Sequence, residues 1–153
     1  MKVAYMNKIP MTELQYESIT TYIAYLCELL LIPSTLIKLD NNVYQGVDHY
    51  AQIDTIKNRV SAKISVSDKF MSMGIPGKKL TLIHELLHFK HKDMTWFIQS
   101  VIDSHIKALS TRKANKESAE RYEEALVDQL AHVIYNLIDT EMDYLLTGII
   151  VSA

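Results

Sequence analysis

An α+β fold, with helices packed on a small sheet of three or four strands, is what this sequence predicts. Three observations carry it. Apolar residues recur at helical spacing between Thr12 and Pro33, short β-branched runs alternate between Thr35 and Ser67, and the chain reads as helical from Lys78 onward. Its 153 residues are 48% hydrophobic and 22% charged. That is an ordinary globular composition, and a chain of this length can bury roughly 70% of its unfolded surface in one core. No repeat, low-complexity segment or linker divides it, so residues 1–153 are read as a single domain.

The first helix begins at Thr12, which forms a capping box with Gln15, and Leu14, Ile19, Ile23, Leu26 and Leu30 supply its apolar stripe until Pro33 ends it. Cys27, the single cysteine, lies in this apolar run and reads as a small buried hydrophobe. The strands follow as TLIKL, an Asn41-Asn42 turn, VYQGVDHYAQIDTI and RVSAKISVS. Gly74, Pro76 and Gly77 then signal a turn into the helix KKLTLIHELLHFKH, with Leu80, Ile83, Leu86, Leu87 and Phe89 facing the core. Asp93 is expected to cap a separate helix from Met94 to about Leu109. The polar segment Ser110 to Lys116 would connect it to a longer helix ending near Asp139, ahead of a mostly apolar stretch from Glu141 to Ala153.

Sixteen basic and 18 acidic residues are mixed along the chain for a net charge of −2, which offers no basic field for nucleic acid. The densest basic stretch, Arg112 to Lys116, reads as a solvated surface. The longest apolar runs, near Tyr22 to Ile32 and Leu145 to Ala153, are about half the roughly 20 residues of a membrane helix, so no membrane association is expected. The N-terminal segment MKVAYMNKIPMTELQ lacks the apolar core of a secretory signal. A cytoplasmic location follows as the expectation.

The residues that carry chemistry are His84-Glu85-Leu86-Leu87-His88. On a helix, positions i and i+4 share one face, so both imidazoles reach one ion while the glutamate projects beside it. A catalytic zinc takes three protein ligands and leaves one position open, which calls for a further carboxylate downstream. Glu124 is the best candidate, because it lies in a strongly helical segment and is followed at i+4 by Asp128. Asp128 on the same face can serve as an outer-shell acceptor, holding the second nitrogen of a ligand histidine. Glu123, pointing about 100° away, is the neighbouring alternative to Glu124. Tyr44, Tyr50, Tyr122 and Tyr135 are candidate oxyanion donors, whereas His49, His105 and His132 are read as structural or exposed.

HELLH followed by a helix bearing E-A-L-V-D resembles the gluzincin metallopeptidases, whose pattern is H-E-x-x-H plus E-x-x-x-D. SAKISVSDKF and KKLTLIHELLH are similar to the strand and active-site helix of the ImmA/IrrE-type phage and prophage peptidases and of minigluzincins. The resemblance implies a zincin-like fold, a zinc ion held by His84, His88 and Glu124, and Glu85 as general base. It also implies a peptide or protein substrate, extended antiparallel to an edge strand from the segment Gln45 to Ser67 and belonging to a regulatory protein. HELLHFKHKDM further resembles the WLM-type peptidases, but their register puts Met94 at the third ligand, and a thioether is a poor zinc ligand in a hydrolytic site. Two alternatives stand beside the peptidase: a zinc-stabilised binding module without turnover, and a latent peptidase covered by its apolar C-terminal tail.

Overall fold

The computed structural model describes residues 7–55 and 60–147. Within them the chain runs β1 (Lys8–Pro10), α1 (Glu13–Leu29), β2 (Ile37–Tyr44), β3 (Ala51–Thr55), β4 (Ala62–Ser67), α2 (Asp68–Met71), α3 (Ile75–His105), α4 (Leu109–Leu137) and α5 (Tyr144–Thr147). The α+β expectation and the small sheet are borne out. The four strands are ordered β1-β2-β4-β3, with β2 and β4 parallel and the outer pairs antiparallel. β3 is therefore an edge strand. No helix among the described residues is long and apolar enough to cross a membrane.

The capping box at the start of α1 is formed in both directions: Thr12 Oγ1 accepts from the Gln15 N–H at 3.1 Å and Gln15 Oε1 accepts from the Thr12 N–H at 2.9 Å. The helix ends ahead of Pro33. Leu31 takes a left-handed φ of 58°, and the Ile32 N–H donates back to the Cys27 carbonyl at 2.8 Å, which closes the last turn as a Schellman motif does. Ile19, Tyr22, Leu26 and Cys27 of α1 are fully buried and meet Ile64 and Val66 of β4 and Leu82, Ile83 and Leu86 of α3 in one core. Burial pushes the Cys27 thiol up to about 11, which fits its reading as an inert small hydrophobe.

Four elements differ from expectation. β1 was not foreseen, since its three residues are exposed and show no alternation. Asn41 and Asn42 form no turn but lie inside β2, where the pairing with β4 slips between Leu39 and Val43. Buried Asp40 stabilises that irregularity by accepting from the Asn42 N–H at 3.0 Å and from the Tyr44 hydroxyl at 2.6 Å. Asp93 caps nothing, because α3 continues through it for 31 residues in all, about 46 Å. Ser110 to Lys116 is not a connection either, since it belongs to α4. The physical reason is shared: from Lys78 to Thr147 the chain has no glycine or proline, and a polar segment without a breaker can remain an exposed helix. The real connection is residues 106–108, so α3 and α4 form a tight antiparallel hairpin, tied near its tip by Lys116 to Asp103 at 2.7 Å.

The described end of the chain, α5, packs against α1 and α3. Leu146 is buried, and the Lys79 ammonium, itself nearly inaccessible, pairs with Asp143 at 3.1 Å and donates to the Asp139 carbonyl at 3.2 Å. Lys79 lies about 140° around the helix from His84. The apolar tail from residue 148 onward, on which the latent-peptidase alternative depends, lies outside the described residues.

Candidate metal centre

α3 is buried on one face and open on the other. Its Leu82, Ile83 and Leu86 anchor it to the core, and this phase leaves His84 and His88, one turn apart, turned toward α4 at about one-fifth side-chain exposure. Opposite them α4 presents Glu124 and Asp128, likewise one turn apart. Val127 and Ala131, both buried, fix the rotation of α4 that aims these carboxylates into the groove.

Glu124 bridges the histidines. Its Oε1 lies 2.9 Å from His84 Nε2 and its Oε2 lies 3.2 Å from His88 Nε2, while the two rings stand 4.7 Å apart and nearly perpendicular. One ligand atom from each of the three residues falls within 4.8 Å of the others, so the group can hold a metal ion. Ligand atoms around a tetrahedral ion with bonds near 2.0–2.1 Å sit roughly 3.3 Å apart, and the observed approaches are close to that spacing. The donor set, two imidazole nitrogens and a carboxylate, is one that such an ion takes.

The remaining polar atoms show how the centre is held. Asp128 does not take the far nitrogen of a histidine as expected from the sequence: its Oδ1 lies 2.9 Å from His84 Nε2, the nitrogen that Glu124 also faces. Glu123 stands on the far nitrogen of His88, with Oε1 3.2 Å from Nδ1, and the Thr95 hydroxyl of α3 donates to its other oxygen. Glu85 lies beside His84, its Oε1 3.4 Å from Nδ1, and its Oε2 accepts the Ile53 N–H of β3 at 3.1 Å. That bond uses the outward-facing amide of the edge strand and pins β3 over the groove. The His84 imidazole has its pKa raised, chiefly by its hydrogen bond to Glu85 and also by the charges of Glu85, Glu124 and Asp128, against the opposing effect of burial.

A cavity of about 400 Å³ opens between β3 and the centre, lined by Gln52, Ile53, His84, Glu85, His88 and Glu124. Of the tyrosines singled out as oxyanion donors, Tyr44 is committed to Asp40 and Tyr135 lies under the Lys79 ammonium, whereas Tyr50 borders a second cavity that Glu85 also lines. His49 and His132, read as structural or exposed, are exposed and line the same second cavity, and His132 Nδ1 stands 2.8 Å from the Asp128 carbonyl. Exposed His105 is far along α3 from the centre. Glu123 is the residue whose place sequence reasoning missed. The signal available for it was only its adjacency to Glu124.

No family model, no curated protein and no solved structure matches this chain.

Proposed function

We propose that the protein is a zinc metallopeptidase of zincin-like fold, with His84, His88 and Glu124 as ligands and Glu85 as general base. The observation that carries this reading is the approach of both Glu124 oxygens to the two Nε2 atoms, with Glu85 held beside them at a cavity walled by the edge strand. A nitrogen-rich set completed by one carboxylate suits zinc better than magnesium or calcium, which prefer oxygen alone. When bound, zinc supplies Lewis acidity, polarising a carbonyl and bringing the pKa of water toward about 7.

The chain's own residues do the rest. Glu85 is close to the ligands without being one, so its carboxylate accepts a proton from water and returns it to the leaving amine. With the Ile53 N–H held by Glu85, the other outward-facing main-chain groups of the edge strand β3 pair with the backbone of an extended peptide, and the adjoining cavity receives its side chains. Glu123 holds the far nitrogen of His88 and so fixes that ring's orientation. By analogy with the ImmA/IrrE-type peptidases, the substrate is a regulatory protein in the cytoplasm, such as a repressor of a mobile element.

Glu85→Gln tests the central role, because it preserves size and helix propensity while removing the proton acceptor. Zinc content and fold should stay near wild type, and cleavage in a peptide-library digest should fall roughly 100- to 10,000-fold. Wild-type turnover in a zinc-loaded Glu85→Gln variant would refute Glu85 as base. Absence of cleavage by zinc-loaded wild type would favour a metal-stabilised binding module.

A further inference from the structure

α4 carries two different stripes of side chains. On one side Glu124 and Asp128 face the histidines of α3. Tyr122, Leu126, Val133 and Leu137 recur at intervals of four, seven and four residues, which puts them in one line about 180° around the helix from that pair. This turns Tyr122, a candidate oxyanion donor by sequence, away from the centre. The line is not used by the core: Leu130, Ile134 and Tyr135 of the same helix pack against it, whereas the four are 79, 51, 54 and 79% exposed in chain order. No element among the described residues covers them. Apolar surface gathered in one line of a long helix is the mark of an interaction site.

The order of the stripe says what fits it. Its spacing reads the same in both directions about a midpoint between Gln129 and Leu130, and its exposures do so too. A second α4 laid antiparallel on the first about that midpoint sets Tyr122 against Leu137 of the partner subunit. It also sets Leu126 against Val133 of the partner subunit. Such self-complementarity is what a two-fold interface requires, because the same patch must serve both copies. A membrane surface or an unrelated helix imposes no such symmetry.

The area agrees. The four side chains expose roughly 500 Å² per chain, so a pair buries about 1,000 Å² of apolar surface, the size at which a specific interface begins. Ala125, Gln129 and Asn136, which border the stripe on one side, carry no charge, so closing it strips water from no ion there. We infer that the chain forms a two-fold dimer through the stripe from Tyr122 to Leu137 on α4. Each candidate metal centre then faces away from the interface and stays open. The dimer does not depend on the peptidase reading above.

Sedimentation equilibrium of the 153-residue chain between about 1 and 100 µM should show monomer and dimer in exchange, with Kd on the order of 10 µM. Leu126→Glu and Leu137→Glu each bring two charges into the seam and should weaken the dimer at least about tenfold, with the circular dichroism spectrum and zinc content unchanged. The register is tested by cross-linking. Gln129→Cys places a thiol beside the two-fold axis, and a short bismaleimide should link two such chains. In Asn136→Cys the two thiols lie about thirteen residues apart along the seam, roughly 20 Å, and should not be linked. Cys27 is buried and gives no background. A chain that stays monomeric at about 100 µM overturns the inference, as does a dimer that both glutamate variants leave intact. Linkage at Asn136→Cys equal to or above that at Gln129→Cys overturns it as well. A monomer whose thermal midpoint falls in Leu137→Glu also overturns it, and assigns the cover of the stripe to the chain itself.

Discussion

Between Ile75 and Phe89, α3 lies in the core and buries Leu82, Ile83 and Leu86 completely; from His91 to His105 the same helix buries only Ile102 and leaves Met94 and Phe97 60 and 64% exposed. The helical hydrogen bonding is alike in both halves, so the difference is one of surroundings. The first half is backed by the sheet and α1, and the second stands with α4 as a hairpin. His84 and His88 sit on the backed half, where packing from behind holds their backbone fixed, as a metal centre requires. A cavity of about 390 Å³ bordered by Met94, Ile98, Tyr122 and Leu126 lies on the unbacked half. Rigid support and open apolar surface are thus divided between two parts of one helix.

Core truncation should expose this difference most strongly. Leu86→Ala is expected to lose about 2–5 kcal/mol, read as a lowered urea midpoint, because it opens a cavity where nothing collapses easily. An effect below about 1 kcal/mol would mean that the first half is no better packed than the second. The sheet behind it carries a smaller, pH-dependent contribution at Asp40. Burial raises this carboxyl's pKa, but hydrogen bonds from the Tyr44 hydroxyl and from Asn42, with the Lys63 charge, lower it overall below 3.8. Its stabilisation is therefore present above the unfolded value and is lost as pH falls through the depressed folded value. Asp40→Asn should cost roughly 1–3 kcal/mol at pH 7 and flatten this part of the acid-side decline in urea midpoints. An unchanged decline would remove Asp40 from the account. At the other extreme, Phe97→Ser on the unbacked half should move stability by no more than about 0.5 kcal/mol. A loss comparable to that of Leu86→Ala would show that the hairpin's outer face is covered in solution.

Much of this arrangement could be read from local sequence. HELLH declares two histidines on one helical face, and Glu124 with Asp128 repeats that spacing downstream, because the 3.6-residue period is a local property. The capping box of Thr12 and Gln15 is legible for the same reason. What could not be read depends on long-range packing. Which nitrogen each of Glu123, Glu124 and Asp128 meets is set by the rotation of α4, and Val127 and Ala131 determine that only once the core exists. Asp93 and Ser110 to Lys116 carry cap and loop composition, yet no glycine or proline stops the helices there. β1 has three exposed residues and no alternation, and its pairing with Asn42 to Tyr44 is visible only in the sheet.

Metal content of chelator-free protein, measured by elemental analysis beside His84→Ala, Glu124→Ala and Glu123→Ala, tests the central claim most directly. The account predicts about one zinc per wild-type chain and its loss in His84→Ala and Glu124→Ala. Glu123→Ala, which removes only the partner of His88 Nδ1, should keep a site weakened roughly 10- to 100-fold. Full zinc occupancy in both His84→Ala and Glu124→Ala would contradict the account.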